Sequence, residues 1–185
     1  MMATHTNKDS RHIMHAIKPN TIGAEIGVWM GNTSTQFLKK GLKKFYMVDS
    51  YSVEPYKENT ERSYQEYIAK YQPITGEISE AGFQRFYDRV HNEVKERFQD
   101  PEVEICRMTS DMWFEQFNDE MLDWIYIDGD HSYEDSAHMH PNETKVGIEM
   151  SQYLKKLPKL KPVVKNGWFP DVFITAQWDS TDPRS

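Results

Sequence analysis

Short apolar runs recur along the chain at 22–28, 45–49, 103–108 and 122–128. Uninterrupted runs of this length are typical of strands that are buried on both faces of a parallel sheet. Between the second and third runs, residues 81–98 repeat apolar side chains at helical spacing. The alternation of apolar strands with helices predicts an α/β fold, with a mostly parallel sheet and helices on both faces.

Polar and turn-forming residues predict where the shorter helices begin and end. Residues 32–40 are predicted to form a helix that is capped by Asn32 or Thr33 and ends at Gly41. We further expect short helices over 63–70, broken by Pro73 and Gly76, and over 111–117, capped by Ser110. A helix at 147–157 and one or two strands within 163–177 complete the prediction.

The chain is expected to form one domain over residues 1–185, because no segment resembles a linker and no internal repeat is present. Residues 52–80 are polar and rich in tyrosine, and we interpret them as an insertion that forms a lid over the sheet edge. The tyrosines of this region and its border are Tyr51, Tyr56, Tyr64, Tyr67 and Tyr71.

Composition narrows the functional classes. With 38% apolar and 28% charged residues, the sequence is that of a folded domain, and it has no apolar stretch long enough to span a membrane. The net charge of -7 argues against a nucleic-acid partner, which requires clustered basic residues. Cys106 is the only cysteine, and residues 1–20 lack the apolar core of a signal peptide. We therefore expect a cytoplasmic protein that binds neither nucleic acid nor membrane.

The first apolar run passes into the stretch AEIGVWMGNTS, which predicts a strand, a tight turn and a helix start. Gly27 and Gly31 let bare backbone approach a small ligand, and the helix start adds unpaired N–H donors. Glu25 lies within the strand, where a carboxylate is costly unless a cation such as a ligand ammonium pairs with it. The spacing differs from the G-x-G-x-x-G of dinucleotide enzymes. A tight turn without a ligand is the alternative.

Two further strands end in acidic residues. Asp49 ends the second run, where a carboxylate can bind the hydroxyls of a ribose or, alternatively, only cap its own turn. The fourth run leads into Asp128, Asp130 and His131. Two carboxylates and an imidazole at a strand end suit a Mg²⁺ site or acid/base chemistry, with a charged turn as the alternative.

Taken together, Glu25, Gly27, Gly31, Ser34, Asp49 and the segment LDWIYIDGDHSYE resemble the class I S-adenosylmethionine-dependent methyltransferases. The subgroup that contains macrolide-sugar O-methyltransferases is the most similar. The resemblance implies a Rossmann-like sheet and S-adenosylmethionine as cofactor. It covers 20–50 and 102–135 well and the rest of the chain poorly.

The resemblance also implies a role for each matched position. Residues at the amino-acid end of the cofactor would be Glu25, Gly27 and Gly31, with Ser34 starting the adjoining helix. Asp49 would bind the ribose hydroxyls, and the adenine would lie near Ser50, Tyr51, Ser110 and Asp111. Asp128 would be a metal ligand and His131 the general base.

The C-terminal part departs from the family pattern. Where metal-dependent members have KLKPGG and then paired acidic residues, this chain has KLKPVVKNGWFPDVF, so that Asp171 is the one candidate left to join Asp128 and Asp130 around Mg²⁺. The sheet is expected to be shortened at its C-terminal strand pair, or to have that edge covered by a second copy of the chain.

Three functions remain open from the sequence. The first is an O-methyltransferase that acts on a hydroxyl of a small-molecule or sugar-like acceptor. The second is a non-catalytic protein that binds the cofactor or a nucleotide on the same fold. The third, a nicotinamide-dependent dehydrogenase, is disfavoured by the glycine spacing.

Overall fold

A computed structural model describes residues 14–57, 63–116, 122–128, 160–163 and 172–176, the last two ranges by their backbone only. The strands are β1 (Ile22–Ile26), β2 (Lys44–Asp49), β3 (Val103–Arg107), β4 (Trp124–Ile127), β5 (Leu160–Val163) and β6 (Val172–Ala176). The helices are α1 (Asn32–Leu38), α2 (Glu54–Lys57), α3 (Tyr64–Thr75), α4 (Glu80–Arg97) and α5 (Ser110–Glu115). The predicted helix at 147–157 lies outside the described residues.

These strands form one sheet of order β3-β2-β1-β4-β6-β5. β1 pairs in parallel with β2 and β4, and β2 pairs in parallel with β3. β6 pairs antiparallel with both β4 and β5. The predicted Rossmann-like α/β class is confirmed, and the edge that we expected to be shortened carries this antiparallel pair.

Side chains alternate between two apolar cores, one on each face of the sheet. Along β2, Phe45 and Met47 enter the core beneath α1 and α4, while Tyr46 and Val48 enter the core beneath α5. Alternation of this kind follows from the two-residue period of a strand. Burial on both faces explains why β4 and the middle of β2 are apolar at every position. Gly23 in β1 belongs to this packing, since a Cβ there would lie 1.9 Å from the indole of Trp124.

Several predicted helix ends are wrong. Helix α1 has Gly31 as its N-cap rather than Asn32 or Thr33, and no side chain caps it. Helix α5 begins at Ser110 itself and is capped by Thr109. Pro73 does not break α3 but lies inside it. A capping box between Ser63 and Glu66 starts this helix, which packs on α4 and ends at Gly76.

The tyrosine-rich region is packed rather than open. Tyr67 is buried, and the Tyr56 ring packs against it at a tilt, with ring centroids 4.8 Å apart. Tyr71 stacks on Phe83 of α4 at 5.1 Å. The region therefore adds a helical layer to the core beside α4, and its role as a lid stays a prediction. In the described ranges, no helix combines the length and apolarity needed to cross a membrane.

Candidate functional site

Three neighbouring strands end at the same level on one edge of the sheet. Ile26 of β1 pairs with Val48 of β2 and with Ile127 of β4. Gly27, Asp49 and Asp128 directly follow or end these strands, so the three leave the sheet side by side. We call this carboxyl-terminal edge the rim. In open α/β sheets it is the edge where ligands bind. Of the predicted acidic residues, the structure brings Asp49 and Asp128 together there, with Glu25 one residue inside the end of β1.

The turn after β1 bends through three residues with positive φ. Gly27 has φ 87°, Trp29 has φ 50° and Gly31 has φ 70°. Left-handed backbone is strained for tryptophan, so the surroundings have to hold it in place. The indole of Trp29 packs against Phe86 and Tyr87 of α4, with ring centroids 5.5 and 5.7 Å apart.

Gly31 has a structural reason of its own to be glycine. A Cβ at this position would lie 2.5 Å from the ring of Phe98, which follows α4. Arg97 of α4 donates from Nη2 to the carbonyl of Met30 at 2.7 Å. The C-terminal end of α4 therefore holds the first turn, a packing requirement that the sequence interpretation of Gly31 as a cofactor residue missed.

Glu25 is buried inside β1, with 1% of its surface exposed. Its carboxylate accepts a hydrogen bond from the hydroxyl of Ser34, which is fully buried in α1. Burial raises the pKa of Glu25 well above its usual value, and the nearby charges of Asp128 and Asp49 raise it further. The free protein therefore holds the Glu25 proton more tightly than an exposed glutamate would, although the Ser34 hydrogen bond opposes this effect, and a cation placed at the rim would favour the ionised form.

The Asp49 carboxylate joins two turns of the rim. Its Oδ2 accepts from the backbone N–H of Trp29 at 2.9 Å, and its Oδ1 accepts from that of Tyr51 at 2.8 Å. Burial raises the pKa of Asp49, and these backbone N–H groups oppose the rise. Each carboxylate oxygen has a second lone pair, so Asp49 caps its own turn and retains acceptor capacity for a ligand hydroxyl.

Tyr51 follows Asp49 in left-handed backbone, with φ 44°. Its ring is fully buried, 5.1 Å from the His91 ring, and its hydroxyl donates to the carbonyl of Trp29 at 3.1 Å. The ring thus belongs to the core, and only the backbone of Tyr51, with the half-buried Ser50, lies at the rim.

Ser110 and Asp111 begin α5, just beyond the end of β3. This end lies beside Asp49, because Arg107 pairs with Asp49 in register and Met108 donates to the Asp49 carbonyl at 3.2 Å. Asp111 is exposed in the first turn of α5. Their predicted contacts with an adenine stay predictions.

The predicted catalytic and metal residues are only partly described. Asp128 follows β4, and its Oδ2 accepts from the Tyr126 hydroxyl at 3.3 Å. His131, Asp130 and Asp171 lie outside the described residues. Within the described part of the chain, no group of three or more His, Cys, Asp or Glu side chains could hold a metal ion. The predicted Mg²⁺ site therefore gains no support.

Comparison with known proteins gives one match in sequence. A family model described as a methyltransferase domain matches residues 24–142. That range includes the last three residues of β1, all of β2 to β4, the turns after β1 and β2, and Asp128. No curated protein matches the chain.

Several solved structures are similar at low identity. Precorrin 8W decarboxylase from Methanobacterium thermoautotrophicum is 8% identical, with 95% of this chain and 92% of that chain covered at a TM-score of 0.43. A candidate methyltransferase from Streptococcus mutans, in complex with SAH, is 11% identical over 95% and 99% of the chains at 0.41. A dimethyladenosine transferase from Plasmodium falciparum is 14% identical over 95% and 62% at 0.39. Likeness at this level says nothing about an acceptor.

Proposed function

The chain belongs to a family of methyltransferase domains, and from that premise we propose that it is an S-adenosylmethionine-dependent O-methyltransferase. The acceptor in this proposal is a hydroxyl of a small or sugar-like molecule. One observation supports the proposal above all others: β1, β2 and β4 end side by side. As a result, Glu25, Asp49 and Asp128 lie close together at the rim.

The residues at the rim suit the parts of S-adenosylmethionine. Glu25 is an acidic group without a described cationic partner, and a ligand ammonium would supply the missing charge. Asp49 is fixed by the backbone N–H groups of Trp29 and Tyr51, and that of Val28 also interacts with it, so the acceptor capacity that remains is already oriented for a ribose hydroxyl. The left-handed turn at Gly27 leaves backbone without a Cβ beside both carboxylates.

The cofactor, when bound, supplies a sulfonium-activated methyl group. The protein then has to align an acceptor hydroxyl with that group and exclude water. In the proposal, His131 takes the proton from the hydroxyl, and Asp128 orients the acceptor or the base from the adjoining strand end. The matched segment IDGDHSYE is the support for the two roles, because the sequence places both residues after β4.

Calorimetry with S-adenosylhomocysteine tests cofactor binding. The wild type should bind, and Asp49→Asn should bind at least about tenfold more weakly, because the amide loses charge and one acceptor. Asp123→Asn is a matched control. Asp123 also accepts a backbone N–H, from Ile22 at 2.8 Å, but at the opposite edge of the sheet. Absence of binding by the wild type, or equal affinity of the Asp49 and Asp123 variants, would overturn the proposal.

Turnover decides between this proposal and the non-catalytic alternative. Incubation with S-adenosylmethionine and a panel of hydroxyl compounds, with and without Mg²⁺, should yield S-adenosylhomocysteine with at least one compound. His131→Ala should abolish that product and leave S-adenosylhomocysteine binding intact. Binding without product across the panel would favour a protein that holds the cofactor without transferring its methyl group.

A further inference from the structure

A cluster of polar side chains from α4 and β3 surrounds the backbone of Tyr51. The Tyr51 carbonyl accepts from Nη2 of Arg107 at 2.9 Å and from Nε2 of Gln84 at 3.1 Å. Gln84 also accepts from the backbone N–H of Val53 at 3.2 Å. The side chains that hold this turn therefore come from residues more than thirty positions further along the chain.

Asp88 ties the two donors together. Its Oδ1 accepts from Arg107 and, at 3.1 Å, from Gln84. The Arg107 guanidinium lowers the pKa of the Asp88 carboxyl, so this residue stays ionised. A fixed carboxylate on α4 thus orients both side chains that reach the Tyr51 carbonyl. We call Gln84, Asp88 and Arg107 the Tyr51 bracket.

The Tyr51 bracket holds a backbone that would otherwise relax. A tyrosine in left-handed backbone is strained, and such a residue persists only where its surroundings fix it. Rotation of Tyr51 to negative φ would leave its N–H near Asp49 but would swing its ring and its carbonyl out of their present positions. The Tyr51 hydroxyl would then lose the Trp29 carbonyl, and the Trp29 N–H that donates to Oδ2 of Asp49 would be held less firmly.

An effect on stability alone is a poor explanation for this cluster. The Arg107–Asp88 pair is part-exposed, with 37% and 47% of the side-chain surfaces accessible. An ion pair so open to water adds little to the stability of a fold. Its geometric effect is larger, because Arg107 stands opposite Asp49 in the register of β2 and β3.

We propose that Arg107, oriented by Asp88, is a positioning residue that sets the geometry of Asp49 for cofactor binding. This inference rests on the proposed function. Arg107 acts through the Tyr51 carbonyl and needs no contact with the cofactor. The expected consequence is a loss of cofactor affinity that exceeds any loss of stability.

The test compares Arg107→Gln with Arg85→Gln. Arg85 lies on α4 and, like Arg107, pairs with a carboxylate, that of Glu77, but it is remote from Tyr51 in the described contacts. Both variants lose one positive charge and one part-exposed ion pair, so their melting temperatures should fall by similar, small amounts. Arg107→Gln should bind S-adenosylhomocysteine about five- to tenfold more weakly, and Arg85→Gln should bind like the wild type. Arg107→Lys should recover part of the affinity.

Hydrogen exchange of residues 50–56 supplies a readout that does not depend on the cofactor. Exchange in this segment should be faster in Arg107→Gln than in the wild type or in Arg85→Gln. Equal affinities of the two glutamine variants, or unchanged exchange in Arg107→Gln, would overturn the inference. If the wild type failed to bind S-adenosylhomocysteine, the proposed function and the cofactor role of Arg107 would both fall. Faster exchange in Arg107→Gln would then show only that the bracket holds the turn.

Discussion

Trp29 donates its backbone N–H to Oδ2 of Asp49 at 2.9 Å, and this bond joins the turn after β1 to the end of β2. Both turns contain a non-glycine residue with positive φ, Trp29 in one and Tyr51 in the other. The Tyr51 hydroxyl returns a bond to the Trp29 carbonyl. The two turns therefore form one unit, and a change in either should alter the site that the other contributes.

Replacing Glu25, the buried acid of β1, should change the stability of the fold and the affinity for the cofactor in opposite directions. Because burial raises the pKa of Glu25, the folded protein holds a proton that the unfolded chain releases more readily. The stabilising effect of that proton is complete below the ordinary pKa of glutamate and is lost as the pH rises through the raised value. Glu25→Gln cannot titrate, so it should be more stable than the wild type at about pH 8, by about 1 kcal/mol or more.

The same variant should bind S-adenosylhomocysteine more weakly, because a ligand ammonium loses its counter-charge. Chemical denaturation between about pH 5 and pH 9 gives the first quantity and calorimetry the second. Ser34→Ala is a useful comparison, since it removes the hydrogen bond and keeps the acid. A Glu25→Gln protein whose stability tracks that of the wild type at every pH would contradict the assignment of a raised pKa.

A pair of glycine substitutions should isolate the packing of the first turn. Gly31 and Gly41 have nearly the same φ, 70° and 68°, but only Gly31 would place a Cβ against another side chain. Gly41→Ala should cost about 1 kcal/mol for its backbone alone. Gly31→Ala should cost about 2–4 kcal/mol, because overpacking against Phe98 is added.

Denaturant unfolding of the two glycine variants measures the difference. Adding Phe98→Leu to Gly31→Ala should recover part of the loss, since the smaller side chain makes room. Equal losses for Gly31→Ala and Gly41→Ala would mean that the ring of Phe98 moves aside at no cost.

A double-mutant cycle should show whether the tyrosine-rich region is structural. The hydroxyls of Tyr56 and Tyr87 are 2.8 Å apart, and Tyr87 is buried. Tyr56→Phe and Tyr87→Phe should each cost about 1 kcal/mol, with coupling of similar size in the double variant. S-adenosylhomocysteine affinity should stay unchanged. A changed preference among hydroxyl acceptors, with no loss of stability, would instead support the predicted lid.

Low pH should destabilise the protein through protonation of His91, whose ring packs the α4 helix against Tyr51. Burial lowers the pKa of His91, and Arg107 and Lys95 lower it further, while Asp88 opposes them. The unfolded chain therefore takes up a proton first as the pH falls below about 6.5, and stability declines from there. His91→Gln should show a flatter profile between about pH 7.5 and pH 5.5 in denaturant titrations. An unchanged slope would place the acid sensitivity elsewhere.

The sequence predicts the rim because local patterns determine it. An apolar strand of a parallel sheet runs in a known direction, so acidic residues at the ends of several strands meet at one edge. In the structure β1, β2 and β4 end side by side, with Asp49 and Asp128 at strand ends and Glu25 one residue inside β1, while the roles of the three residues stay predictions. The apolar patterns also predict the four parallel strands and helix α4, whose buried apolar side chains recur from Phe83 to Val94.

Local sequence patterns do not predict contacts between residues that are far apart along the chain. Gly31 is constrained by Phe98, and Tyr51 by Gln84 and Arg107, all far along the chain. The sequence offers one sign of the Tyr51 bracket. Arg107 ends β3 beside Asp49, which ends β2. Pro73 stays helical because the capping box and the stacked tyrosines outweigh its missing N–H, and a single-residue rule cannot weigh these effects.

One helix touches both turns of the rim at points far apart along its axis. Gln84 lies near the start of α4 and Arg97 at its end, so about 20 Å of helix separate the two attachments. Inserting or deleting one residue between them would rotate Arg97 and Phe98 by about 100° relative to Gln84 and release the first turn. The number of residues between Gln84 and Arg97 is therefore fixed by the distance between the two turns. Insertions ahead of Ser79, by contrast, would not change the position of Gln84 relative to Arg97.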